Sequence, residues 1–230
     1  MKKTLFALAA LAAFAAAGVA QADTLKKIKD TGSIALGVRE SSGLSYTLGS
    51  GKFVGFHTEM AERVIADLQK QLGLAKLEIK YQPVTSQNRI PLVQNGTVDL
   101  ECGSTTNNAA RQKDVSFAMT TYVEEVRIAV KANSGINSIA QLNGKTIATT
   151  TGTTSVQHLR KHERAAGADF KEVYGKDHAD SFLLLESGRA DAFVMDGSIL
   201  AANIAKAKNP ADFKIVGEVL SVEPIACMLR

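Results

Sequence analysis

The chain of 230 residues contains no tryptophan, only four prolines and only two cysteines. Two cysteines are too few for a small disulfide-stapled scaffold, and 18 glycines are too few for a collagen-like repeat. The excess of one charge sign over the other is also small, because 27 basic residues nearly balance 23 acidic ones. No dense basic stripe with interleaved aromatics is present. A nucleic-acid partner is therefore not expected. The rest, 45% apolar and 22% charged, is typical of a globular protein.

The first 22 residues have the composition of an export signal rather than of a folded domain. Lys2 and Lys3 precede an apolar run at residues 5–19, and the small-residue pattern Ala-Gln-Ala follows at residues 20–22. This order is typical of a secretory signal peptide, and the run is shorter than the ~20 residues that a membrane-spanning helix needs. We predict a signal peptide over residues 1–22, an exported protein, and a mature chain with a net charge of 4 − 2 = +2.

Export exposes Cys102 and Cys227 to oxidising conditions, and their even number makes a disulfide the favoured hypothesis. The alternative is a pair of buried free thiols in strands. No Cys-x-x-Cys pattern is present, so a redox catalyst is not expected.

One pattern occurs twice and predicts two similar halves. The spacing Leu-x-x-x-Gly-x-x-Asp occurs at residues 92–99 and again at residues 184–191, and in both copies a helix ends at the glycine and an apolar strand follows. In the second half a helix is predicted from about Thr153 to Ala166, before a strand near Val173. Helices and strands alternate in both halves, which predicts an α/β fold with two largely parallel sheets.

Ligands of open α/β sheets bind beyond the carboxyl ends of the strands, so the polar residues at those ends form the candidate site. This set is rich in hydroxyls, has three arginines and contains a single acid. Its members are Arg39, Ser86, Arg89, Ser104, Thr105, Thr106, Arg111, residues 149–154 with Thr151 and Thr154 among them, His178 and Asp196.

Arg111 and Asp196 have complementary chemistry. The planar fork of Arg111 fits a carboxylate, and Asp196 could hold an ammonium group. Each has a plain structural alternative, since Arg111 could cap a helix at the surface and Asp196 could cap the helix that starts near Gly197. Thr151 and Thr154 lie at a predicted helix start whose free N–H groups suit an anion, although ordinary N-capping fits the same pattern.

Sequence signatures of catalysis are missing. The chain has no G-x-S-x-G elbow and no phosphate-binding loop. His158 and His162 stand four residues apart, but charged neighbours surround them, so we predict a solvated helix face rather than a metal site. We expect no metal and no cofactor.

Several motifs resemble periplasmic solute-binding proteins of polar amino-acid ABC transporters, especially the glutamate/aspartate-binding group. They are Gly-Val-Arg-Glu at residues 37–40, Gly-Phe at 55–56, Thr-Ser-Gln-Asn-Arg-Ile-Pro-Leu at 85–92, Gly-Thr-Val-Asp-Leu at 96–100, Cys-Gly-Ser-Thr-Thr-Asn at 102–107, Arg111 with Val-Ser-Phe at 115–117, and Asp-Ala-Phe-Val-Met-Asp at 191–196. The likeness covers nearly all of residues 23–230, and residues 85–117 carry the part specific to the acidic amino-acid group.

The resemblance implies an α/β fold of two lobes, each a mostly parallel sheet flanked by helices, joined by crossover hinge strands around a ligand cleft. Lobe 1 is expected at residues 23–125, lobe 2 at residues 126–216, and a return to lobe 1 at residues 217–230. The chain stops just after the apolar residues 225–229, so we expect the C-terminal part of lobe 1 to be absent.

The resemblance also implies residue roles. Arg111 would clamp the α-carboxylate of the ligand with help from Ser104 and Thr106, and Asp196 would bind the α-amino group. The other members would line the side-chain pocket or close over it from the second lobe: Arg39, Ser86, Arg89, His178, Thr151 and Thr154.

The implied function is capture of L-glutamate or L-aspartate by a monomer that delivers it to the membrane permease of an ABC transporter. Two alternatives stay open, namely an enzyme on the same two-lobe fold, such as a small dehydratase, and the ligand-sensing module of a receptor. The enzyme would need Asp196 or His178 free to act as an acid or base.

Overall fold

The computed structural model describes residues 23–230, so the predicted signal peptide lies outside the described residues. The helices are α1 (Thr24–Thr31), α2 (Phe56–Gln71), α3 (Arg89–Gln94), α4 (Thr154–Ala166), α5 (His178–Glu186) and α6 (Gly197–Ala205), with 3₁₀ turns at Arg111–Lys113, Ile139–Leu142 and Pro210–Asp212. The strands are β1 (Ser33–Val38), β2 (Tyr46–Thr47), β3 (Phe53–Val54), β4 (Glu78–Pro83), β5 (Leu100–Glu101), β6 (Ser116–Phe117), β7 (Tyr122–Lys131), β8 (Thr146–Thr150), β9 (Lys171–Gly175), β10 (Ala192–Asp196), β11 (Phe213–Ile225) and β12 (Met228–Leu229).

The first lobe is built on a sheet with the strand order β4-β1-β5-β12-β6. Strands β4, β1 and β5 are parallel, whereas β12 runs antiparallel to both of its neighbours. Apolar side chains of β1, such as Leu36 and Val38, are fully buried and belong to one core cluster with Ala61 and Ile65 of α2. This burial fixes the register of β1, because a shift of one residue would turn its apolar side chains to the opposite face.

The second lobe is built on a sheet with the order β11-β7-β10-β8-β9, in which β10, β8 and β9 are parallel. Strand β10 is buried along its whole length, as expected for a strand covered on both faces. One core cluster of this lobe contains Leu159 of α4, and a second contains Leu185 of α5 and Leu200 of α6. Because β10, β8 and β9 are parallel, their carboxyl ends lie at the same edge of the sheet.

Two long antiparallel strands, β7 and β11, connect the lobes. Their pairing runs from Phe213 opposite Lys131 to Ile225 opposite Tyr122, with a shift of register between Val216 and Ser221. Strand β11 then continues into β12, which lies in the sheet of the first lobe. The chain thus crosses between the lobes on paired strands, as the two-lobe hypothesis requires.

The predicted disulfide is confirmed, because Cys102 is bonded to Cys227. Both cysteines are buried in the core of the first lobe. The bond ties the segment after β5 to the segment that returns from the second lobe.

Most predicted elements are confirmed. Helix α4 ends at Gly167, which takes a left-handed conformation with φ of 62°. The second half starts with a 3₁₀ turn at Ile139–Leu142, whereas the first half starts with the α-helix α1. The apolar residues 225–229 include β12, which is paired on both sides. The expected absence of a C-terminal part of lobe 1 stays a prediction.

Candidate functional site

Residues that follow the carboxyl ends of strands in both lobes line a small cavity of about 10 Å³. A cavity of this size accommodates about one water molecule, so an amino acid enters only if the lobes or side chains move. Its lining residues are Arg39, Ser86, Arg89, Ser104, Thr106, Thr153, Thr154, His178, Met195, Asp196 and Ile199.

Arg39 follows β1 and extends across the cavity between the lobes. Its Nη1 donates to Ser86 Oγ at 3.0 Å and to Ser104 Oγ at 3.4 Å, and its Nη2 lies 2.9 Å from His178 Nε2 in the second lobe. Burial, followed by the charge of Arg89, lowers the pKa of Arg39 to about 9. The guanidinium is therefore still positively charged at neutral pH.

His178 begins α5 and is buried. Because an arginine can only donate, Nε2 of His178 accepts from Arg39, and the ring proton lies on Nδ1, which is 3.0 Å from Thr150 Oγ1. Burial, with the charges of Arg39 and Arg89, lowers the pKa of His178 well below its usual value. The imidazole is thus neutral and orients Arg39 without adding charge.

Arg89 begins α3 and is also buried, with Nη1 donating to the carbonyl oxygen of Ser104 at 3.0 Å. Burial lowers the pKa of Arg89, and the charges of Glu101 and Asp196 oppose that shift. Among residues 23–230, no ion pair within 4.0 Å joins Arg39 or Arg89 to a carboxylate, and the Nε atoms of both arginines lack a hydrogen-bond partner.

Arg111 is half-buried at the rim and does not line the cavity. Its Nη1 donates to the carbonyl oxygen of Thr106 at 2.9 Å, and its Nη2 donates to that of Gly152 in the second lobe at 3.3 Å. Burial and the charge of Arg89 lower the pKa of Arg111 to about 10. The alternative of a helix-capping surface arginine is wrong, since the side chain spans the two lobes.

Asp196 ends β10 at the position before α6, yet its side chain makes no capping hydrogen bond. Glu124 serves that helix end instead, accepting from the backbone N–H of Ser198 at 3.3 Å and from its hydroxyl. Burial, then the charges of Glu124 and Glu223, raises the pKa of Asp196 to about 7, against the opposing effect of Arg89 and Arg39. The capping alternative is therefore wrong, and the carboxylate lines the cavity.

Glu223 on β11 links the hinge strand to both lobes. Its Oε1 lies 2.6 Å from His158 Nε2 and accepts from Ser221 Oγ at 2.7 Å. Burial alone would raise the pKa of Glu223, but hydrogen bonds from His158, Ser221 and Thr106 outweigh it and lower the value to about 2. The predicted solvated face is thus wrong for His158, which packs against the hinge strand, while His162 stacks on Phe170.

The structure brings together eight of the ten residues proposed to bind ligand, whereas Arg111 and Thr151 lie outside the cavity lining. Thr151 bonds the carbonyl oxygen of Gly175 at 3.1 Å through its backbone N–H. Sequence reasoning did not single out Met195 and Ile199, which complete the lining. Their apolar side chains carried no chemical signal, although Met195 directly precedes Asp196 and Ile199 follows it by three residues.

No helix among residues 23–230 is long and apolar enough to cross a membrane. The same part of the chain holds no group of three or more His, Cys, Asp or Glu side chains arranged to bind a metal.

Residues 34–211 match the family described as bacterial extracellular solute-binding proteins, family 3. Two curated relatives are each 44% identical to the chain. One is the glutamate/aspartate import solute-binding protein of Escherichia coli, matched over 97% of this chain and 77% of the relative. The other is the L-glutamate/L-aspartate-binding protein of Pseudomonas aeruginosa, matched over 90% of this chain and 69% of the relative.

Solved structures share the fold. A periplasmic binding protein from Brucella ovis with glutathione bound superposes with a TM-score of 0.80 at 27% identity, over 91% of this chain and 65% of that one. A mutant of ArgBP from T. maritima gives 0.78 at 28% identity, over 90% and 85%. The chain therefore spans just under two thirds of the first structure and most of the second.

Proposed function

The chain belongs to the bacterial extracellular solute-binding proteins of family 3, and from this premise we propose that it captures L-glutamate or L-aspartate between its lobes. The curated relatives are solute-binding proteins of transport systems, so the chain is a binding protein and not an enzyme. We propose that its membrane partner is the permease of an ABC importer. An exported, periplasmic location agrees with the family, and we propose that residues 1–22 are the signal peptide that directs it there.

The observation that carries the cargo assignment is the surplus of positive charge at the cavity. Arg39 and Arg89 are buried without a carboxylate partner within 4.0 Å among the described residues, and Arg111 lies at the rim. Asp196 is the one acid that lines the cavity. A buried cation is costly unless it is paired, so a ligand with two carboxylates and one ammonium group complements the three arginines and the single acid.

We propose specific contacts for each group of the ligand. The ammonium group binds Asp196, the α-carboxylate binds Arg111 with Ser104 and Thr106, and the side-chain carboxylate faces Arg39 and Arg89. The hydroxyl of Ser86 and the ring of His178 hold Arg39, which supports this order. Thr151 and Thr154 close the site from the second lobe.

We further propose the lobe boundaries at residues 23–125, 126–216 and 217–230, and that the protein works as a monomer. The register shift in β11 between Val216 and Ser221 supports a boundary near residue 217.

The test is calorimetric titration of the purified protein with glutamate, aspartate, glutamine, asparagine and arginine. We expect glutamate and aspartate to bind tightest, because the amides leave Arg39 and Arg89 without a charged partner. In the variant Arg39→Gln, the free energy of glutamate binding should become less favourable by about 2–5 kcal/mol, which is the cost when a buried charge pair loses one partner. The control Arg160→Gln changes an exposed arginine that pairs with Glu172 and should leave affinity unchanged.

Two results would contradict the proposal. One is binding of glutamine or arginine that is tighter than binding of glutamate. The other is a folded Arg39→Gln variant that binds glutamate as the wild type does.

A further inference from the structure

Gly152 lies in the loop between β8 and α4 and meets the first lobe backbone to backbone. A Cβ atom at this position would stand 2.8 Å from the Cα of Gln87, 2.8 Å from the carbonyl oxygen of Ser86 and 2.9 Å from the backbone N of Gln87. Distances this short do not occur for real Cβ atoms, so any side chain here would push the loop and the first lobe apart. The φ angle of Gly152 is also positive, at 81°.

The opposing turn of the first lobe is held in its conformation by side-chain hydrogen bonds, so it does not shift easily. The backbone N–H of Thr85 donates to Asn88 Oδ1 at 2.8 Å, and the backbone N–H of Asn88 donates to Thr85 Oγ1 at 3.3 Å. Within the turn, Ser86 accepts from Arg39 through its hydroxyl. A clash at Gly152 would therefore be relieved by separation of the lobes rather than by a local adjustment.

The same loop carries other contacts that depend on this approach. The carbonyl oxygen of Gly152 accepts from Arg111 Nη2 at 3.3 Å across the lobes. Thr153 follows directly, with its hydroxyl donating to the carbonyl oxygen of Thr150 at 2.8 Å, so the loop is rigid on its own side as well. Displacing Gly152 thus moves Thr153 and Thr154 away from the cavity and removes an acceptor from Arg111.

We propose that Gly152 is a positioning residue for lobe closure: its missing side chain lets the second lobe seat on the Ser86–Gln87 backbone and so complete the ligand site. This inference rests on the proposed function only in assigning glutamate as the ligand. The steric argument itself concerns the two lobes and holds for any ligand that binds between them.

The experiment compares Gly152→Ala with Gly144→Ala. Gly144 also belongs to the second lobe and has a positive φ of 72°, but a Cβ there would meet no atom within 4 Å. Both variants therefore place an alanine at a positive φ, which strains the backbone in the same way. Only Gly152→Ala adds a clash between the lobes. A cooperative thermal unfolding transition is expected for both variants and is measured first, to establish that each one folds.

Two measurements follow on each variant. Glutamate titration should show an affinity at least tenfold lower in Gly152→Ala than in Gly144→Ala. Spin labels on cysteines introduced at the exposed positions Lys80 and Lys161, one in each lobe, should report a smaller population of the short interlobe distance in Gly152→Ala, with and without glutamate.

The two proposals can fail separately. Equal interlobe distances in the two variants would overturn the closure role, whatever the ligand. If the wild type binds neither glutamate nor aspartate while the distances still differ, the cargo assignment is wrong and the closure role stands.

Discussion

Asp196 gives the sharpest prediction, because its proposed partner is an ammonium group and its pKa is raised to about 7. Only the ionised carboxylate attracts an ammonium ion. At pH 8 about nine tenths of Asp196 is ionised, and at pH 6 only about one tenth. Glutamate itself keeps both carboxylates and its ammonium group charged over this range, and neutral His178 adds no titration there. Glutamate affinity should therefore fall by about tenfold from pH 8 to pH 6.

The assay is isothermal titration calorimetry at pH 6, 7 and 8 in two buffers with different ionisation enthalpies. Binding should release roughly 0.9 proton at pH 6 and roughly 0.1 proton at pH 8, since the bound ammonium group keeps Asp196 ionised. Asp196→Asn should bind weakly and without this pH dependence. The control Asp169→Asn removes an exposed carboxylate from the same lobe and should behave as the wild type.

An affinity that stays constant from pH 6 to pH 8, with no proton release, would refute this reasoning. So would an Asp196→Asn variant that binds glutamate like the wild type.

The raised pKa of Asp196 has a consequence for stability. An acid whose pKa is raised by folding destabilises the folded state as the pH rises from the ordinary pKa of 3.8 to the folded pKa of about 7. Unliganded Asp196→Asn should therefore melt at a higher temperature than the wild type at pH 8 and at nearly the same temperature at pH 4.

Three further outcomes can be measured. Reduction of the Cys102–Cys227 bond, which closes a segment of 125 residues, should lower the free energy of unfolding by about 4–5 kcal/mol in denaturant titrations; an unchanged midpoint would contradict the chain-entropy argument. Arg111→Ala should weaken glutamate binding by at least about 2 kcal/mol in calorimetry, and unchanged affinity would remove Arg111 from the site. Lys206→Ala breaks an exposed interlobe ion pair with Glu40 and should change affinity by less than about fivefold, with no effect left in high salt; a larger or salt-independent loss would disagree.

The positions of helices and strands were predictable where the signal lies within a few residues of the element. The end of α4 was predictable because Gly167 can take the left-handed conformation that ends a helix. The strand-end residues were predictable as candidates because parallel strands place their carboxyl ends at one edge of a sheet. The hairpin of β2 and β3 likewise follows from the closely spaced Gly49 and Gly51 in its turn, which both take a positive φ.

Contacts between distant segments were not predictable. Arg39 and His178 are 139 residues apart, and nothing near either one indicates that they meet. The same holds for Gly152, whose importance comes from the backbone of Ser86 and Gln87 rather than from its neighbours in the sequence. The capping alternative for Asp196 could be rejected only once Glu124, from another strand, was seen to serve the helix.

The position of β12 affects how the protein folds. This strand contains residues 228–229, yet it lies between β5 and β6 in the sheet of the first lobe. Four strands of the second sheet are already complete at Asp196. The lobe that begins first along the chain therefore finishes last, and its long-range strand pairing makes that final step slow relative to the second lobe. During synthesis, β12 cannot pair with β5 and β6 until residues 228–229 have been made, so the sheet of the N-terminal lobe stays incomplete while the second lobe is being synthesised.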